Sequence, residues 1–199
     1  MTQLNLFTSK PTGVPVSVAR DFVEDVLKPK KIKPRPAPPI DLVKKKFIYN
    51  EVTGEIRHRD GCPNKRLEGR VATWETNRGY LCVSVMNENI FAHRIAWLLV
   101  FGTWPDVVDH INGIKNDNRL ANLREATASL NYANVGRRKH NTSGFKGVTR
   151  DRGNAGFWRA QISYGGRTRY LGRFSAPDEA HAAYMKKAVE VFGEFARAT

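Results

Sequence analysis

"VVDHINGIKNDNRLANLREATASLN" (residues 107–131) sets one histidine, His110, among Asn112, Asn116, Asn118, Asn122 and Asn131. Asparagine forms helices and strands poorly, so five of them in so short a stretch ask for an explanation. The apolar opening predicts a short strand over 107–109, then a polar loop over 111–118. A second strand over 123–125 follows. Thr127 or Ser129 then caps a helix running to about residue 135. Asn112, Asn116 and Asn118 suit the turns of the loop. On a strand, Asp109 and His110 point to opposite faces; at a strand end the rule relaxes and both can flank one site. Polar groups from strand, loop and helix then converge.

That group has the parts for phosphodiester hydrolysis. A neutral histidine can take a proton from water, and hard oxygen donors, carboxylate or amide, can hold a divalent cation near the leaving oxygen. The histidine needs a partner on its other ring nitrogen to fix its tautomer. An asparagine or backbone carbonyl can serve.

Upstream, "FIYNEVTGEIRHR" (47–59) predicts a hairpin turning at Thr53–Gly54, and "GYLCVSVMNENIFAHRIAW" (79–97) a second turning at Asn87, Glu88 and Asn89. A buried helix over 93–101 ends at Gly102. His93 on it has two readings, a group lining the DNA side or a buried ring bonded to the loop. Further back, 16–27 reads as a short amphipathic helix capped by Ser17. "KPKKIKPRPAPPI" (28–40) reads as an extended basic tether.

Downstream, "GFKGVTRDRGNAGFWRAQISYGGRTRYLGRF" (144–174) predicts three strands: one ending near Arg150, one over 157–163 and one over 168–174, with Gly165–Gly166 as a turn. A helix follows, with Ser175 and Asp178 as a capping box. Ala180, Tyr184, Ala188 and Val191 form its apolar stripe, and Gly193 stops it. Residues 137–173 hold ten Lys or Arg against one acid, Asp151. Trp158, Ala160 and Ile162 would face the helix. Arg159 with Gln161, and Arg167 with Arg169, would carry donors on an open face able to enter a major groove.

The whole chain fits a polyanion binder. Its 199 residues allow one ordinary domain or two small ones, 41% are hydrophobic, and the net charge is +14. The longest apolar run, 95–101, is far too short to span a bilayer, and nothing at the N-terminus resembles a secretory signal. Cys62 and Cys82 are too few and too far apart for a zinc site and read as reduced thiols.

Asp109-His110 followed by Asn122 and Asn131 resembles the HNH, or ββα-metal, nuclease motif. "AHRIAWLLVFGTWPDVVDHINGIKNDNRLANLREAT" resembles the phage and intron-encoded HNH endonucleases over about 47–136. The resemblance implies His110 as general base, Asn122 orienting it, and Asp109 with Asn131 holding one divalent metal. With an amide oxygen where the motif's name has histidine, Mg²⁺, or Mn²⁺ in its place, is expected over Zn²⁺. Residues 142–197, through "GFKGVTRD", "GFWRAQI", "RYLGRF" and "DEAHAAYMKKAVEVFGEFA", resemble the AP2 DNA-binding domain. That implies DNA contacts at Lys146, Arg150, Arg152, Arg159, Gln161, Arg167, Arg169 and Arg173. Plant members usually carry Trp where Tyr170 stands and Glu near Gln161, so their target sequence does not transfer.

The expected fold class is α+β. A basic segment over 1–42 precedes a ββα-metal HNH domain over 43–136, and a three-stranded antiparallel sheet plus helix follows over 137–199. The expected function is a metal-dependent, homing-type DNA endonuclease. Double-stranded DNA is the partner, with no membrane and no small-molecule substrate. A monomer is expected, with a dimer as alternative, in the cytoplasm, that of the host cell for a phage protein. The rivals are a DNA-binding regulator without cleavage and a binder of structured RNA.

Overall fold

The computed structural model describes residues 36–153 and 156–198. The helix expected over 16–27 and most of the tether lie outside them. Among the described residues no helix is long and apolar enough to cross a membrane. Two compact units divide the chain at Gly136/Arg137.

The first unit starts its packing at Ile40, inside the expected tether. Helix α1 (Ile40–Lys46) carries Asp41 in its first turn and Lys44, Lys45 and Lys46 in its last, charges that complement the helix dipole. Val43 is fully buried. Strands β1 (Phe47–Tyr49) and β2 (Ile56–His58) form the first hairpin. Its turn is held by Asn50 Oδ1, which accepts from the Val52 and Thr53 amides at 2.9 and 3.1 Å. Strands β3 (Thr73–Glu75), β4 (Leu81–Val85) and β5 (Glu88–Phe91) make an antiparallel sheet in that order. β3 is an addition to the expected elements. The β4–β5 turn is Met86–Asn87, both at positive φ (53° and 63°), so Glu88 and Asn89 belong to the strand and not to the turn.

Helix α2 (Ala92–Phe101) is apolar nearly all round because it is buried nearly all round. Ile95 and Leu98 join the cluster of Val43, Phe47, Ile56, Val83 and Val85, while Ala96 and Trp97 pack on Val108 and Leu123. Gly102 closes the helix at φ 67°. Arg94 donates to the Asp106 and Pro105 carbonyls, both at 2.8 Å, and covers the Trp104 ring. These contacts fasten α2 to the segment entering strand β6 (Val107–His110). β6 pairs with β7 (Leu123–Ala126), and helix α3 (Ala128–Asn134) completes a ββα unit. Thr127 is the cap: its hydroxyl accepts from the Leu130 amide at 3.2 Å. Cys62 and Cys82 are buried free thiols.

The second unit is a three-stranded antiparallel sheet with one helix. Strands β8 (Val148–Arg150), β9 (Trp158–Tyr164) and β10 (Arg167–Phe174) run in the order β10-β9-β8. Helix α4 (Pro177–Phe192) packs on β9 and β10. It starts at Pro177 with Ala176 as cap, so the capping box does not form; Ser175 lies one residue outside and bonds Glu179 Oε2 at 3.2 Å. The buried stripe is Ala180, Tyr184, Ala188 and Phe192, the last replacing the expected Val191.

Candidate active site

β6 is covered on both sides, so Val108, Asp109 and His110 are all buried and the strand shows no alternation of burial. Pairing continues through His110 opposite Leu123, so the expected relaxation at the strand end is not seen. Val108 and His110 turn to α2, where the His110 and His93 rings meet edge-on with centroids 4.9 Å apart. Asp109 turns to Arg124 across the ribbon and to α3.

The His110 ring has a partner, but not the expected one. His110 Nε2 lies 2.9 Å from Asn118 Oδ1. An amide oxygen only accepts, so Nε2 carries the proton and Nδ1 keeps its lone pair. Asn118, expected to shape a turn, is 1% exposed. Asn122, expected to orient the ring, has both ends of its amide engaged in the loop. Oδ1 accepts from the Asn112 amide at 2.9 Å and Nδ2 donates to the Asp117 carbonyl at 2.7 Å. Asn112 Nδ2 in turn donates to Asp117 Oδ2 at 2.7 Å, and Arg119 binds the same carboxylate, which holds Asp117 down at about 2. Asn116 faces solvent.

Burial lowers the His110 pKa below the ordinary histidine value, and the Asn118 bond and the carboxylates of Asp109 and Asp117 oppose that shift. The ring therefore rests neutral near pH 7, the state a general base needs. His93 is pushed down to about 3, by burial first and then by His110 and Arg94. It is a buried ring, stacked on Phe91, but among the described residues its Nδ1 has no hydrogen-bond partner and makes no bond to the loop.

Asp109 is 4% exposed. Its Oδ2 accepts from Arg124 Nε at 2.9 Å, and Asn134 Nδ2 reaches both carboxylate oxygens at 3.0 Å and the His110 carbonyl at 2.7 Å. Arg124 and Asn134 were not anticipated. Asn134 could have been found, since it stands one helical turn after Asn131 on α3. Asn131 is half-buried, and its backbone amide closes the first turn of α3 on the Thr127 carbonyl at 2.9 Å.

A divalent cation fits this donor set by type. Among the described residues Asp109 Oδ1 accepts from Asn134 alone and keeps spare acceptor capacity, and Asn131 on α3 would add a hard amide oxygen. No cluster of three His, Cys, Asp or Glu occurs among the described residues. Mg²⁺ does not need one, since it commonly takes one or two carboxylates and completes its shell with water and substrate phosphate.

In the second unit the register sorts the expected DNA contacts into two faces. Residues directly opposite on paired strands share a face. Thr149 and Arg173 oppose Arg159, Tyr170 opposes Gln161, and Thr168 opposes Ser163, which gives one open face. Arg150 opposes Trp158, Arg169 opposes Ile162 and Arg167 opposes Tyr164, so these three arginines share the side of the helix. This corrects the expectation that Arg167 and Arg169 join Arg159 on the open face. The Arg169 guanidinium lies 3.7 Å over the Tyr164 ring and donates to the Tyr164 carbonyl at 3.0 Å. A bulge at Leu171 restores the phase, so Arg173 faces outward, with its Nε 2.6 Å from Asp151 Oδ2. Lys146 and Arg152 stand in the segments flanking β8. Burial, then the charge of Arg197, lowers Lys146 to about 8.

The comparisons with known proteins bear on the first unit. No curated protein and no solved structure matches the chain. Residues 91–133, about a fifth of the chain, match the family model of the HNH endonucleases. The matched segment runs from the end of β5 through α2, β6 and β7 into α3, and it contains Asp109, His110, Asn118, Asn122 and Asn131. Over residues 91–133 the chain is therefore similar to the HNH endonucleases.

Proposed function

We propose that the protein is a metal-dependent, homing-type endonuclease that cuts double-stranded DNA at chosen sites. The observation that carries this reading is His110, a buried, neutral histidine whose proton is committed to Asn118 and whose Nδ1 is left as acceptor. Nδ1 would take the proton of the attacking water. Asp109 and Asn131 would hold Mg²⁺, or Mn²⁺ in its place, and the bound cation would offset charge on the leaving oxygen. Asn122 acts on the histidine indirectly, by pinning the loop 112–117 that precedes Asn118. The second unit would select or tighten the DNA site through the open face of an AP2-like sheet, with Arg159, Gln161 and Arg173 in reach of base edges. Lys146, Arg150, Arg152, Arg167 and Arg169 would then serve phosphates at the sheet's margins. One such site cuts one strand, so a monomer would nick. The place of action would be the cytoplasm.

One observation favours a second reading, a DNA-binding regulator that does not cut: Arg124 already neutralises the Asp109 carboxylate. Incubating the protein with supercoiled plasmid carrying genomic target fragments and Mg²⁺ separates the two. Nicking is expected, with a loss of about 10²–10⁴-fold in His110→Ala at unchanged DNA affinity. Wild-type protein that binds the plasmid and leaves it supercoiled would end the nuclease reading.

A further inference from the structure

The residue that meets the His110 ring is itself held by a part of the chain outside the matched domain. The backbone at 118–120 lies against the β1–β2 hairpin, and three contacts join them. The Tyr49 hydroxyl donates to the Asn118 carbonyl at 2.7 Å, across 69 positions of sequence. The Leu120 amide donates to the Glu51 carbonyl at 2.9 Å. Gly54, at φ +78°, packs so closely that a Cβ there would stand 2.6 Å from Arg119 N and from the carbonyl carbon of Asn118.

Asn118 needs such restraint. Its amide is buried, Oδ1 is spent on the imidazole, and Nδ2 has no partner among the described residues. A buried, unpaired donor favours any movement that returns it to water. Nothing in the Asn118 side chain other than the imidazole bond opposes that movement, so the contacts on its backbone must. Burial raises the pKa of the Tyr49 phenol above its ordinary value, so it stays a proton donor throughout the working pH range.

We propose that the β1–β2 hairpin is a positioning clamp for the active site. Resting on the nuclease reading, it holds Asn118 against His110 Nε2 and so commits the ring to the tautomer that leaves Nδ1 free to accept a proton. Tyr49 and Asn118 are then positioning residues, acting through His110. Without the clamp the loop withdraws, the imidazole loses its acceptor, and both neutral tautomers become populated. Rings in the Nδ1–H form present an N–H where the lone pair is needed. The nuclease device would thus extend beyond the ββα unit to a hairpin that carries no reactive group.

Tyr49→Phe tests this with the smallest change, since the ring remains and only the hydroxyl goes. The protein is labelled with ¹⁵N-histidine, and the His110 signals are assigned by their loss in His110→Ala. They are read in alkaline solution, where the imidazole is neutral. Wild type should show a protonated Nε2 and a bare Nδ1. Tyr49→Phe should move both nitrogens toward the average of two tautomers. Its kcat for nicking should fall about 10-fold with KM nearly unchanged, because the lost group supports the reacting residue and touches no DNA. Asn118→Leu, which removes the acceptor outright, should show the same shift more strongly and serves if Tyr49→Phe folds poorly. Wild-type nitrogen signals in Tyr49→Phe would overturn the clamp, whatever Asn118→Leu shows, as would shifted signals with unchanged kcat. If the wild type cuts no DNA the nuclease reading falls, and the nitrogen signals still decide whether the hairpin sets the tautomer.

Discussion

Two ion pairs show how differently the units use charge. In the ββα unit, Arg124 and Asp109 are both buried, with side chains 9% and 5% exposed. In the sheet unit, Arg173 is half in water, at 50%, while its partner Asp151 is 6% exposed. The first unit spends buried polar groups on one another and so fixes their geometry before any ligand arrives. The second keeps the cationic partner of its pair half in water. One arrangement suits chemistry, which needs preorganisation; the other suits binding, which needs reach.

The contrast breaks first, and most visibly, if the pairs respond alike to removal of the cation. Arg124→Leu leaves Asp109 buried with Asn134 as its remaining listener and should destabilise the first unit by about 3–5 kcal/mol. Arg173→Leu should cost the second unit less, about 1–3 kcal/mol: Asp151 is left buried too, but it keeps the Gly153 amide, and the half-exposed guanidinium contributed less to begin with. Denaturant titration with a probe in each unit compares the two.

Acid sharpens the same difference. His93 is held neutral in the folded state, down to about 3, against an ordinary value of 6.5. The unfolded chain therefore takes up a proton at this residue before the folded one does. His93 costs nothing above about pH 6.5. As pH falls from there toward about 3, stability drops at a slope approaching about 1.4 kcal/mol per pH unit. His93→Phe should flatten that part of the first unit's stability curve. An unchanged slope would show that His93 is already hydrated in the native state.

For DNA affinity, the contrast lies between the two faces of the sheet. Arg159 stands on the open face and Arg169 is packed on Tyr164 on the helix side. Arg159→Ala should weaken binding to a selected site by about 1–3 kcal/mol, whereas Arg169→Ala should weaken it less and equally for all sequences. Equal, sequence-dependent losses would mean that the register does not decide which arginines read bases.

Much of this was legible in the chain. The ββα unit, a cap at Thr127 or Ser129 and the place of His110 follow from apolar pairs, a capping residue and short-range periodicity, all local properties; the structure chooses Thr127. The sidedness of Arg167 and Arg169 was legible too. A two-residue Gly165–Gly166 turn pairs Tyr164 with Arg167, and Tyr164 is in phase with Ala160 and Ile162, so both arginines must share the helix side. The choice between Asn118 and Asn122 was not legible. They stand four residues apart in an irregular loop, where each backbone dihedral turns the next side chain elsewhere, and the restraint on Asn118 comes from Tyr49, 69 residues away. β3, three residues long, is too short for its alternation to stand out.

The finest form of the contrast is in the two helix starts. α3 opens on Thr127, whose hydroxyl takes the Leu130 amide, one of the amides that a helix N-terminus leaves without a backbone acceptor. α4 opens on Ala176 with no side-chain cap, and Pro177 at its first position removes one such amide outright. Thr127→Ala should therefore cost the first unit about 1 kcal/mol. It should also loosen Asn131 and Asn134, which ride on the seven residues of α3, the second of them bonded to Asp109. Ser175→Ala removes only an exposed bond to Glu179 and should change the second unit by less than about 0.5 kcal/mol. Amide hydrogen exchange at Leu130 and Asn131 reads the difference directly. Protection that survives Thr127→Ala would place the hold on α3 in the Asn134–Asp109 bonds at its far end and not in its cap.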